Sequence, residues 1–207
     1  MENRKSHWEQ VYSSKSDTEV SWFQETPGPS LDLLKVVGAQ HHEGIIDVGG
    51  GASKLVDNLV AAGFDDVTVL DISAAALASS QRRLGAGASS VDWIVADITQ
   101  WKPDREYDIW HDRAVFHFLT DLSDQQAYVD CLIGGLAIGG RAIIGTFAPD
   151  GPEKCSGLPV ARHDIRSLSA LLGGRFEVLD SRRHAHETPW GSVQNFQYGT
   201  FRRVGGS

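Results

Sequence analysis

The chain is 207 residues long, enough for one domain that buries roughly 70% of the surface its unfolded form exposes, so neither a structural metal nor a disulfide framework is required. Its 19 Lys and Arg against 27 Asp and Glu give a formal charge of -8, which opposes an electrostatic grip on phosphate backbones and excludes nucleic acid as the expected partner. Two cysteines without CxxC spacing, a polar N-terminus and no run near the ~20 apolar residues of a membrane span point to a cytoplasmic protein with no membrane partner.

In chain order, Trp8, Val11 and Tyr12 share one helical face, and Ser21-Trp22-Phe23 follows before the first strand. Gly44-Ile-Ile-Asp47-Val reads as that strand, and Gly49-Gly-Gly51-Ala-Ser53 reads as a tight turn into a helix over Lys54 to Ala62. Glycines at 49 and 51 let backbone N–H groups approach a ligand, and the helix entered at Ser53 aims its positive end at the same spot. Asp66 to Asp71 is the second strand, ending in a carboxylate, and Ser73 caps an Ala-rich helix to about Leu84. Strand three is Val91 to Val95, closed by Ala96-Asp97; strand four is Tyr107 to Asp112, with Arg113-Ala-Val-Phe-His117 after it.

A helix from about Ser123 to Leu136 is expected to break at Gly139-Gly140 before strand five, Arg141 to Phe147, whose apolar run suits a strand covered on both faces. The long loop Ala148 to His163 precedes a short helix, Ile165 to Leu172. Phe176 to Arg183 and Val193 to Arg202 then form an antiparallel hairpin added to the parallel sheet. The expected fold is α/β, a doubly wound, mostly parallel seven-stranded sheet closed by that hairpin. With no repeat or linker, residues 1–207 read as one domain, residues 1–40 serving as a helical lid or cover.

An acid two places before the first glycine, followed by strands that end in Asp71 and Asp97, resembles the class I (seven-strand) S-adenosylmethionine-dependent methyltransferases over about residues 44 to 203. That family's acid-x-Gly-x-Gly-x-Gly is matched by Asp47, Gly49 and Gly51, with Ser53 in place of the third glycine. The resemblance implies strand order 3-2-1-4-5-7-6 and S-adenosylmethionine as cofactor, with S-adenosylhomocysteine as product. It further implies that the turn wraps the methionine portion, that Asp71 binds the ribose hydroxyls, and that Asp97 meets the adenine amine between Ile72 and Ile98.

Two other classes compete. A nicotinamide dehydrogenase shares the glycine turn and the acid but predicts a glycine at the helix start and often Tyr-x-x-x-Lys; the chain's tyrosines are followed four places on by Ser16, His111, Leu132 and Arg202. A passive nucleoside-binding module would not require the ionisable groups gathered here.

Methyl transfer from a sulfonium needs alignment above all, and a base only where the nucleophile must lose a proton. Asp112 and Arg113 are assigned to the methionine end, and His117, with an ordinary pKa near 6.5, to the acceptor as base or orienting group. Trp22 and Phe23 are the expected lid residues, by the habit of related methyltransferases. Cys155 and the pair His184 and His186 carry no expected role, since neither a partner base nor a third metal ligand is spaced near them.

The leading aromatic residues are loosely similar to those of seven-strand protein lysine methyltransferases, which carry Asp-Lys-Gly-Thr-Leu-Asp after strand four. Here the stretch is Asp112-Arg-Ala-Val-Phe-His117, so a small-molecule acceptor at O, N or S is favoured over a protein. Oligomeric state has no signature in the sequence.

Overall fold

The computed structural model describes residues 2–14 and 19–205. In chain order its elements are α1 (Glu2–Ser14), α2 (Gly28–Val36), β1 (Ile45–Val48), α3 (Leu55–Ala61), β2 (Val67–Asp71), α4 (Ala74–Leu84), β3 (Val91–Val95) and β4 (Tyr107–Arg113). There follow α5 (Leu122–Gly135), β5 (Leu136–Phe147), β6 (Lys154–Cys155), β7 (Leu158–Pro159), α6 (Ile165–Leu172), β8 (Phe176–Glu187) and β9 (Val193–Arg203).

The main sheet has seven strands in the order β3-β2-β1-β4-β5-β9-β8. β3, β2, β1, β4 and β5 run parallel, and β9 joins antiparallel between β5 and β8. This is the order the resemblance implies, once the two-residue strands β6 and β7 inside the 148–163 loop are counted. Helices cover both faces. Leu33 and Leu34 of α2, Leu55 and Leu59 of α3 and Leu77 of α4 pack on one side, while Tyr128 and Leu132 of α5 and Leu168 and Leu172 of α6 pack on the other. Every residue of β1 and of β2 is buried, the environment that calls for near-continuous apolar runs.

Three strands, β5, β8 and β9, depart most clearly from their expected boundaries. β5 starts at Leu136, because the pairing with β4 shifts register between Tyr107 and Ile109 and Gly139, at φ 85°, absorbs the extra residues instead of ending the helix. β8 runs on to Glu187 and β9 to Arg203, since the two pair continuously, with one bulge, across what reads in sequence as a loop.

The polar residues inside the sheet are paired across it. Asp47 of β1 and His111 of β4 are register partners, and His111 Nδ1–H donates to Asp47 Oδ1 at 2.7 Å while Nε2 lies 2.9 Å from Ser30 Oγ of α2. Both side chains are almost wholly buried, 2% for His111 and 3% for Asp47. Removing one partner of such a pair leaves a buried polar group unpaired. His111→Ala is therefore expected to lower unfolding free energy by about 3 kcal/mol in urea denaturation, with the midpoint shifted and the slope retained.

Candidate active site

A cavity of about 870 Å³, mouth included, opens at the carboxyl ends of β1, β2 and β4. The place is where parallel α/β sheets bind their ligands. Gly49, Asp71, Ile72, Asp97 and Ile98 line one end; Arg113, His117, Phe147, Cys155 and Phe196 line the other.

Asp71 is the most constrained of these. Its carboxylate accepts the Ser73 N–H at 2.8 Å beside the start of α4, yet burial pushes its pKa up to about 7, with Asp47 and Glu9 adding repulsion. Asp97 is partly exposed and accepts from the Thr99 N–H and hydroxyl at 3.0 and 2.7 Å. The adjoining Ile72 and Ile98 offer apolar walls on the same cavity.

The glycine turn is bare mainly for internal reasons. A Cβ on Gly51, where φ is +29°, would lie 2.5 Å from Asp71 Oδ2, and one on Gly50 would lie 2.5 Å from Asp47 Oδ2. A Cβ on Gly49, at φ +69°, would strike Val115 Cγ2 at 1.9 Å. Of the turn residues singled out in sequence, Gly49 faces the cavity, whereas Asp47, Gly51 and Ser53 do not. Asp47 is occupied by His111. Ser53 Oγ accepts the Leu55 N–H at 3.1 Å and shapes the start of α3 from two residues before it.

Asp112 also falls outside the cavity wall, contrary to its assignment at the methionine end. Its oxygens accept the Val115 and Phe116 N–H groups at 2.8 and 3.1 Å, so it holds the turn after β4 from beneath; burial raises its pKa to about 6. That turn includes Ala114 at φ 74°, a strained conformation for a residue with a Cβ, and Ala114 lines the cavity.

His117 lies on the wall but is not a proton store. It is fully buried, and burial first, then His163 and Arg113, push its pKa down to about 3. The Phe147 N–H donates to its Nδ1 at 3.3 Å, so in the neutral ring the proton sits on Nε2. Cys155 is a free thiol whose pKa burial raises to about 11, which removes the thiolate a nucleophile requires. Among the described residues no three His, Cys, Asp or Glu side chains cluster as a metal site; His186 Nε2–H instead donates to the Ser21 carbonyl at 2.7 Å.

The first helix roofs this cavity, with Trp8 and Tyr12 on its inner side. The Trp8 ring stands 5.0 Å from Phe118 and 5.7 Å from Trp22, all edge-on, and Trp22 lines the cavity. Phe23, expected beside Trp22 in the lid, lies outside, beneath the Lys54 ammonium at 5.6 Å. Two polar groups absent from the sequence reading moor the helix. Glu9 accepts the Ala74 and Ala75 N–H groups at 2.7 and 3.2 Å, filling the start of α4, and Arg4 donates to Asp124 of α5 at 2.8 Å. Neither sits in a motif, and only the partner elements in space reveal them.

A mostly parallel sheet in this order, with a ligand cavity between a glycine turn and two strand-end carboxylates, defines the Rossmann-like methyltransferase architecture. Residues 45–140 match the family model described as a methyltransferase domain. The chain is 27% identical over 127 residues to nodulation protein S of Rhizobium tropici, covering 61% of this chain and 52% of that protein. It is 25% identical over 119 residues to the eEF1A lysine and N-terminal methyltransferase of Mus musculus, covering 56% of this chain and 16% of that one. The alignments thus span about half of the first relative's length and a small part of the second's.

The 1,6-didemethyltoxoflavin-N1-methyltransferase of Burkholderia thailandensis, solved with 1,6-didemethyltoxoflavin and S-adenosylhomocysteine, superposes with a TM-score of 0.69 at 17% identity, covering 98% of this chain and 85% of that one. Residues 45–140 thus match a methyltransferase domain, and the fold around them is that of the class I S-adenosylmethionine-dependent methyltransferase family. S-adenosylmethionine is the cofactor of that family.

Burial of Asp71 has a consequence for stability. A carboxyl whose pKa is raised on folding favours the fold at low pH, and that contribution is lost progressively as pH rises from the ordinary carboxyl value of about 4 to the folded value, about 7 here. Asp71→Asn is expected to raise the melting temperature of the free protein by about 3 °C or more at pH 8, with the gain shrinking steadily as pH is lowered toward about 4, read by scanning calorimetry across that range.

Proposed function

We propose that the protein transfers the methyl group of S-adenosylmethionine to an O, N or S atom of a small-molecule acceptor, in the cytoplasm. The observation that carries the reading is the meeting of Gly49, Asp71, Ile72, Asp97 and Ile98 around one end of a single cavity. In this reading Asp71 accepts from the ribose hydroxyls, Asp97 from the adenine amine, and the two isoleucines enclose the ring. The residues fit the group: a desolvated carboxylate on a cavity wall gains from two hydroxyl donors, and Gly49 leaves backbone room beside them.

S-adenosylmethionine supplies a methyl group on a sulfonium, whose displacement disperses positive charge. The chain's own part is alignment and exclusion of water. Trp22, with Trp8 above it, closes the cavity over the bound pair. His117 orients the acceptor by hydrogen bonding and does not take its proton, because a ring with a pKa near 3 is a poor base at neutral pH. The acceptor atom therefore arrives with a free lone pair. Residues 1–40 act as the lid of a single-domain enzyme.

Roofing by α1 favours a small acceptor, and the Burkholderia enzyme, which holds 1,6-didemethyltoxoflavin, is the parallel. The name of the mouse relative supports a second reading, a protein acceptor, which would require α1 to swing away from its Glu9 and Arg4 moorings.

Titration calorimetry is expected to show S-adenosylhomocysteine binding far more tightly than NAD, and Asp71→Ala weakening it about 100-fold through loss of two hydrogen bonds to a charged group. Tighter binding of NAD reverses the assignment. Trp22→Ala is expected to weaken cofactor binding about fivefold, and a fall in melting temperature with unchanged affinity removes Trp22 from the lid. The acceptor itself is sought by incubating labelled S-adenosylmethionine with fractionated metabolites and with proteins from cell extract.

A further inference from the structure

The cavity is polarised. Its carboxylates, Asp71 and Asp97, stand at the ends of β2 and β3, whereas Arg113 at the end of β4 faces β9, its guanidinium carbon 5.6 Å from the Phe196 ring centre. Arg113 Nη2 donates to the Trp22 carbonyl at 3.1 Å, but Nε is buried with no partner. Other sheltered arginines each hold a carboxylate: Arg83 pairs with Asp57 at 2.7 Å, Arg105 with Asp66 at 2.6 Å and Arg141 with Glu43 at 2.5 Å. Among the described residues Arg113 has no such partner.

The groups around it are neutral. Burial lowers the pKa of His184 and His186, and the Arg113 charge lowers both further. Cys155 stays a thiol. The His117 Nε2–H is a second donor without a partner on the same wall. This end of the cavity therefore offers positive charge and donors, with Phe118, Phe147 and Phe196 as flat apolar surfaces beside them.

We propose that this end receives the methyl acceptor, and that the acceptor is a flat apolar molecule bearing an anionic oxygen, which pairs with Arg113. The inference rests on the methyltransferase reading and deepens it. A sheltered guanidinium without a counter-ion is costly, and a ligand anion removes that cost, so binding discriminates strongly against the uncharged analogue. An anion here also offsets two cations held in one cavity, Arg113 and the sulfonium. The amino-acid carboxylate of the cofactor offers the same chemistry, and the test separates the two sources.

The test is titration calorimetry on the full chain. S-adenosylhomocysteine and 5′-methylthioadenosine, which lacks the amino-acid carboxylate, are first compared on wild type and Arg113→Gln; the ratio of their affinities is expected to be the same in both. The proteins saturated with S-adenosylhomocysteine are then titrated with benzoate and with benzamide. Wild type is expected to bind benzoate at least about tenfold more tightly, Arg113→Gln to bind the two within about twofold, and Arg113→Lys to keep part of the preference.

Equal binding of benzoate and benzamide by wild type, binding of neither, or a preference that survives in Arg113→Gln overturns the proposal. So does a loss of S-adenosylhomocysteine affinity in Arg113→Gln with methylthioadenosine affinity kept, which assigns Arg113 to the cofactor. Should Arg113→Gln bind neither nucleoside, Arg113→Met carries the comparison, and a wild-type preference retained in it overturns the proposal. Failure of wild type to bind S-adenosylhomocysteine overturns the family reading instead.

Discussion

The buried carboxylate of Asp71 is the constraint around which this end of the molecule is arranged. Taking a carboxylate out of water is costly, and here the cost shows as a pKa raised to about 7. Its neighbours are what the fold supplies to make it tolerable: the Ser73 N–H at 2.8 Å, the start of α4 just beyond, and a glycine at 51 because no Cβ fits beside Oδ2. The carboxylate itself lines the cavity. In the proposed reading, hydroxyl donors that reach this carboxylate recover in affinity part of the stability given up in holding it dry.

The same logic brings the first helix into the site. The start of α4 is an anion-binding position by virtue of its free N–H groups, and Glu9 occupies it. One carboxylate thereby docks α1 across the cavity, and its charge adds to the repulsion felt by Asp71. Deprotonation of Asp71 and docking of the roof are consequently coupled, with each disfavouring the other. The aromatic contacts of Trp8 with Trp22 and Phe118 add apolar burial that does not depend on charge.

The half of the site built by β1, β2 and β3 was legible because local rules make it. A strand-ending carboxylate or a glycine turn is a short-range pattern, and Gly49, Asp71, Ile72, Asp97 and Ile98 meet in one cavity as the pattern implies. Asp47 and Asp112 show where pattern misleads. Each sits at a strand end, but Asp47 is taken by a register partner on the next strand and Asp112 by the two N–H groups of its own turn. Strand alternation separates Asp112 from His111 correctly without saying which side is open. Glu9 and Arg4 were invisible, since each acts only through an element far away in sequence. The protonation of His117 was equally hidden, because full burial, which moves a histidine by several units, is a property of the packed state.

The weak basicity of His117 and Cys155 bears on the chemistry of the basic wall. With His117 held neutral, Cys155 held as a thiol and Asp112 committed to its turn, none of these three side chains is poised to collect a proton at neutral pH. Selection among acceptors then falls to the ground-state form of the molecule itself: one that already presents a lone pair needs only to be placed in line with the sulfur–carbon bond, and effective molarity supplies ~7 to 11 kcal/mol of the barrier. Placement needs a fixed handle away from the reacting atom. An unpaired guanidinium between aromatic walls is such a handle, and the strained Ala114 that follows Arg113, at φ 74°, lies in the turn that carries it into the cavity.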